Sequence, residues 1–151
     1  MRKEFKAFSK WLGEWAGKGQ TKKGLPVHSR LVIRERMAGE FLEFEVTSLH
    51  ADTGALVHGV VCQLAVDPDG VPRMSVASTM HGCMVMPMTP EDPGAAAIEG
   101  VSATGNRVVV SLVEEDGGLM LTSYWRAPKT APDSEPLGFT NLLLKRVTRE
   151  A

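Results

Sequence analysis

Between residues 27 and 37, His28, Arg30, Arg34 and Arg36 alternate with Val27, Leu31, Ile33 and Met37, with Ser29 and Glu35 as the imperfect members. A period of two with one charged face describes an antiparallel strand that is wet on one side and packed on the other. Ala38-Gly39-Glu40 supplies a turn, after which Leu42, Phe44 and Val46 alternate with Glu43, Glu45 and Thr47. The two segments are expected to pair as a hairpin whose outer face sets arginines against glutamates.

The same grammar runs to the end of the chain. Strands are expected over 14–21, 27–37, 42–47, 56–66, 73–80, 83–88, 95–102, 107–114, 119–126 and 139–147, separated by turn signals such as Asp67-Pro68-Asp69-Gly70, Thr104-Gly105-Asn106 and Asp116-Gly117-Gly118. Pro87 and Pro90 are expected to cut the sixth strand short and leave 89–94 as a loop. Residues 128–136, with three prolines, read as a surface loop, and the two loops together are candidates to cover one mouth. Residues 3–12 carry Phe5, Phe8, Trp11 and Leu12, which suits a short helix with one apolar face acting as a plug. Ten short antiparallel strands in meander order avoid exposed edges by closing on themselves. The fold class is therefore all-β, an up-and-down antiparallel β-barrel of about ten strands with a short N-terminal helix; a two-sheet sandwich is the alternative.

Composition narrows the functions. With 151 residues, 43% of them hydrophobic, the chain has the size of one domain with its own core. A formal net charge of -1 lacks the basic excess that phosphate neutralisation demands, so no nucleic-acid partner is expected. The charged start, Met-Arg-Lys-Glu-Phe-Lys, has no long apolar run, so no membrane partner and a cytoplasmic location are expected. Cys62 and Cys83 do not have zinc-site spacing and read as free thiols. No nucleophile elbow, metal-binding motif or phosphate loop occurs, so no metal is expected.

The stretch Trp11-Leu12-Gly13-Glu14-Trp15-Ala16-Gly17-Lys18-Gly19 resembles the opening of the calycin superfamily, and more closely the Leu-Gly-x-Trp-x-Gly-x-Gly run of nitrobindin-like haem-binding barrels and related bacterial lipocalin-like families of unknown function. The resemblance implies a calycin-like barrel in which a cation near the end of the last strand packs over the first-strand tryptophan. Here that pairs Trp15 with Arg146 or Lys145, and the register decides between them. It also implies haem held by a histidine at the start of the last strand. The matching stretch, Gly138-Phe139-Thr140-Asn141-Leu142-Leu143-Leu144, contains none, so a haem reading has to use His81 or His58 instead.

The remaining candidates are for binding. Met80-His81-Gly82-Cys83-Met84-Val85-Met86-Pro87-Met88 is rich in flexible, polarisable side chains suited to lining an adaptable apolar pocket. Ligand contacts are expected from Met80, His81, Met84, Met86, Phe44, Tyr124, Trp125 and Thr140. Ser48, Gln63, Ser78 and Thr122 are further polar interior candidates, with Asn141 in the other register. His81 reads as an axial ligand, a general base or a turn residue, and His58 as facing either way. The expected function is binding of a small, mostly apolar molecule without a cofactor. Haem binding is one alternative; a cofactor-free cyclase or isomerase, working by shape and proximity, is another. The outer face is a candidate homodimer surface.

Overall fold

The inward alternation of the first hairpin continues around the whole molecule. The computed structural model describes residues 1–92, 95–130 and 134–148. Ten strands follow one another: β1 (Gly13–Gln20), β2 (Pro26–Arg36), β3 (Phe41–His50), β4 (Leu56–Val66), β5 (Pro72–Ser78), β6 (Gly82–Asp92), β7 (Ala95–Val101), β8 (Arg107–Glu115), β9 (Gly118–Arg126) and β10 (Gly138–Arg146). Each pairs antiparallel with its sequence neighbours, and β1 pairs with β10 to close a barrel. A 3-10 helix, Lys3–Trp11, precedes β1.

In the β2–β3 hairpin Val27, Ser29, Leu31, Ile33, Leu42 and Phe44 are buried. On the outer face Arg34 Nε donates to Glu43 at 2.7 Å and Arg36 to the same carboxylate at 2.9 Å, while Arg34 also reaches Glu45. Met37 does not continue the inward run. It is 77% exposed, because a positive φ of 50° there begins the turn into β3.

The prolines do not end the sixth strand. Pairing with β5 runs to Pro87, opposite Arg73; pairing with β7 starts at Met88 and shifts register between Thr89 and Asp92. A proline lacking an N–H is accommodated where the ladder is already irregular. The expected loop at 89–94 is therefore strand as far as Asp92, and Pro93 and Gly94 lie outside the described residues, as do Ala131–Asp133 of the 128–136 loop.

One end of the barrel is plugged. Phe5, Phe8 and Trp11 are all buried, and their spacing of three explains the helix type, since three residues per turn stacks them in one line. Phe8 meets Trp11 edge-on at 5.3 Å and Phe44 at 6.2 Å. The Trp11 indole donates to Glu114 at 2.6 Å, and the Trp15 indole donates to the Trp11 carbonyl at 2.8 Å. Gly13, at φ 122°, turns the chain from helix to strand. The register sets Trp15 opposite Arg146, whose guanidinium lies 4.3 Å from the Trp15 ring and donates to the carbonyls of Leu12, at 2.7 Å, and Lys10. Lys145 points elsewhere, to the Asp116 carbonyl.

Since strand direction alternates, the plugged end gathers the start of β1 and the ends of β6 and β8. The opposite end gathers the β1–β2, β5–β6 and β9–β10 connections. The described parts of these segments, 87–92 on the one hand and 128–130 with 134–136 on the other, thus belong to opposite ends and do not share a mouth.

Candidate functional site

Above the plug the barrel encloses a cavity of about 460 Å³, within the range of small-molecule sites. Its wall is mostly aliphatic and thioether. The strand period sends Cys62 and Val60 of β4, Met74 and Val76 of β5, Met84 and Met86 of β6, Ile98 of β7, Val108 and Leu112 of β8 and Leu121 of β9 inward. Phe44 forms part of this lining and packs on Phe8 of the plug.

Polar groups concentrate at the unplugged end. His58, next to the start of β4, shares inward parity with Cys62, and its Nε2 lies 3.1 Å from Ser78 Oγ at the end of β5. The same hydroxyl oxygen accepts the backbone N–H of Met80 and of His81, each at 3.2 Å. A hydroxyl has two lone pairs and one proton. With both lone pairs engaged by N–H donors, Ser78 gives its proton to His58 Nε2, which assigns the neutral His58 proton to Nδ1.

His81 is a turn residue whose ring is folded back into the wall. It is 8% exposed and meets Trp125 edge-on at 5.5 Å. Its Nδ1 is buried without a hydrogen-bond partner. An orphaned N–H is rarer in protein interiors than an orphaned acceptor, so the neutral ring is assigned as Nε2–H with a bare Nδ1. Burial lowers the pKa of both imidazoles, and for His58 the proximity of His81 lowers it further. Both are neutral near pH 7.

Trp125 reaches this position because Gly138, opposite it on β10, has no side chain; a Cβ there would stand 2.1 Å from the indole nitrogen. Thr140 lines the cavity from β10. Met84 and Met86 are buried in the lining, whereas Met80 is 53% exposed and belongs to the rim. Tyr124 borders the cavity, but the alternation that sends Ser123 and Trp125 inward places its ring under the Arg126 guanidinium, 4.8 Å away. The side chain of Met88 lies outside the described residues.

Among the polar candidates, Ser48 and Ser78 line the cavity, and Ser48 shares a hydrogen bond of 2.7 Å with the buried Ser29. Gln63 does not, since it lies on the outer face between inward Cys62 and Leu64. Thr122 faces Asn141 outside, with a 3.2 Å hydrogen bond between them. Sequence reasoning missed Met74, Ser111, Ser123 and the β1–β2 turn residues Thr21, Lys22 and Lys23, all of which line the cavity. Period-two counting from buried neighbours identifies the strand residues. The turn residues left no comparable signal.

The donor set suits haem iron poorly. Thr140, Leu142 and Leu144 occupy the inward positions of β10, the His58 Nε2 lone pair is taken by Ser78, and His81 Nδ1 is closed off in the wall. Among the described residues no group of three or more His, Cys, Asp or Glu side chains is placed to hold a metal ion. Among the described residues no helix is long and apolar enough to cross a membrane.

No protein-family model and no curated protein sequence matches the chain. Among solved structures it is similar to Rv2717c from M. tuberculosis, with a TM-score of 0.68 and 17% identity over 98% of this chain and 99% of that one. A redesigned β-barrel, mFAP0, bound to DFHBI, matches with a TM-score of 0.46 and 13% identity over 68% of this chain and 97% of that one. The first likeness extends over the whole barrel and concerns the fold alone.

Proposed function

We propose that this protein binds a small, mostly apolar molecule inside the barrel. The observation that carries the reading is the enclosed cavity of about 460 Å³, with an apolar wall and one polar cluster of His58, Ser78 and His81 at its open end. A solidly packed barrel would leave no such volume, and a general channel would lack the plug. An apolar body would lie against Met84, Met86, Ile98 and Leu121, exchanging water for hydrocarbon contact at roughly 25 cal/mol per Å², while the polar end stays near the histidines.

Native mass spectrometry of the protein as purified from cells, beside its ultraviolet–visible spectrum, tests the reading. The expected result is a non-covalent adduct without a Soret band that is lost in Val60→Trp, which fills the cavity from β4. An adduct that survives Val60→Trp, in a variant that remains folded, would place binding elsewhere and overturn the assignment.

A further inference from the structure

The cavity's polar end has a definite sign. Among the described residues that line it there is no aspartate or glutamate; the polar and titratable members are His58, His81, Lys22, Lys23, Cys62, Tyr124 and hydroxyl side chains. The hydrogen-bond assignment adds direction: Ser78 leaves His58 with its proton on Nδ1, and the orphaned Nδ1 of His81 leaves that ring with its proton on Nε2. The His58 lone pair is then engaged by Ser78 and the His81 lone pair is closed off in the wall, so the group each ring has left to offer is an N–H donor. A cation entering here would find no countercharge, and an uncharged hydrocarbon would leave the donors unpaired, at a cost comparable to any lost buried hydrogen bond.

We propose that His58, Ser78 and His81, with Lys23 at the rim beside a Lys22 that is paired with Glu135 at 2.9 Å, form a subsite for an anionic oxygen head group, so that the ligand is an apolar organic anion. This rests on the proposed ligand-binding reading and gives it a head-group chemistry. The anion would accept hydrogen bonds from the two imidazoles and favour their protonated forms, so binding is coupled to proton uptake. His58 and His81 share the cavity lining with Ser78 of β5, Ser48 of β3, Cys62 of β4, Trp125 of β9 and the two lysines of the β1–β2 turn, of which Lys22 carries Glu135 at 2.9 Å. Among the described residues none of the lining side chains is a carboxylate, and the charge of Glu135 is already paired with Lys22.

A matched pair of fluorescent probes separates the head group from the body: 1-anilinonaphthalene-8-sulfonate, and N-phenyl-1-naphthylamine, which lacks the sulfonate. The expected result is that the sulfonate binds about tenfold or more tighter at pH 7, the ratio that one charge-assisted hydrogen bond supplies. That advantage should grow as the pH falls toward 6, whereas the neutral probe changes little. It should collapse in His81→Leu and shrink in Ser78→Ala, with the affinity for the neutral probe retained as evidence that the barrel is intact. Equal affinities in the unaltered protein would overturn the anion subsite while leaving the cavity reading in place. An advantage that persists in a His58→Leu, His81→Leu double variant but vanishes in Lys22→Gln, Lys23→Gln would also overturn it, assigning the effect to rim charge. Failure of both probes to bind would overturn this proposal together with the ligand-binding reading.

Discussion

His81 shows how one side chain ties site to stability. Its folded-state pKa and that of His58 are lowered by burial, whereas an unfolded histidine titrates near 6.5. The unfolded chain therefore binds more protons once the pH drops below about 6.5, and stability declines from there until the folded-state pKa values are passed. In urea unfolding between pH 7.5 and 5, the unliganded protein should lose stability at no more than about 1.4 kcal/mol per pH unit for each histidine. His81→Leu should flatten that slope, and an unchanged slope would show that other groups carry it. The two cysteines make a second contrast. Burial pushes the Cys62 thiol up to about 12, while Cys83 is exposed. A disulfide-exchange reagent at pH 8 should modify one thiol rapidly and one slowly, with Cys83→Ser removing the fast phase.

At the scale of elements, the plug and the first strand bear the closest contacts. Phe8 is 5% exposed and touches both Trp11 and Phe44, so Phe8→Ala should cost about 3–5 kcal/mol in chemical denaturation. It should also deepen the cavity floor. On β1, a Cβ at Gly17 would meet the Leu143 carbonyl oxygen at 2.4 Å, and one at Gly19 would meet the end of the Leu142 side chain at 2.1 Å. The second obstacle is the shorter in distance, but it is a movable methyl, whereas the first is backbone. Gly17→Ala should therefore be the more destabilising of the two, and the reverse order of thermal midpoints would contradict that account. A glycine inside a strand marks by itself a place where something comes close. What approaches these two was not legible in the sequence, because it comes from β10, more than a hundred residues later in the chain.

For the whole molecule, closure is the vulnerable step. Among the described residues β1 and β10 share only two register pairs, Trp15 with Arg146 and Ala16 with Lys145, and an isolated bridge between Thr21 and Thr140. The other neighbouring strands, such as β2 with β3 along ten residue pairs, are joined by longer ladders. Arg146 compensates by stacking on Trp15 and holding the carbonyls that end the plug helix. Arg146→Ala should cost about 1–2 kcal/mol, combining an exposed cation–π contact with lost hydrogen bonds, and should speed amide exchange along β1. Lys145→Ala should stay within about 0.5 kcal/mol. Equal effects from both would show that the seam does not depend on the stacked guanidinium.

What the sequence determined alone is local: strand count, turn positions, the arginine–glutamate face of β2 and β3, and an apolar plug whose spacing of three needs no distant partner to be seen. Each follows from the two-residue or three-residue period of neighbouring side chains. Tertiary structure alone decided the rest. The β1–β10 register chose Arg146 over Lys145, and β6 ran on through Pro87 because its two edges pair with different strands along its length. The polar end of the cavity was likewise invisible as a unit, since His58, Ser78, His81 and Trp125 meet only when alternating strand directions bring their ends together. Barrel closure is a long-range event, and the chemistry at its mouth is a property of that closure rather than of any contiguous stretch of residues.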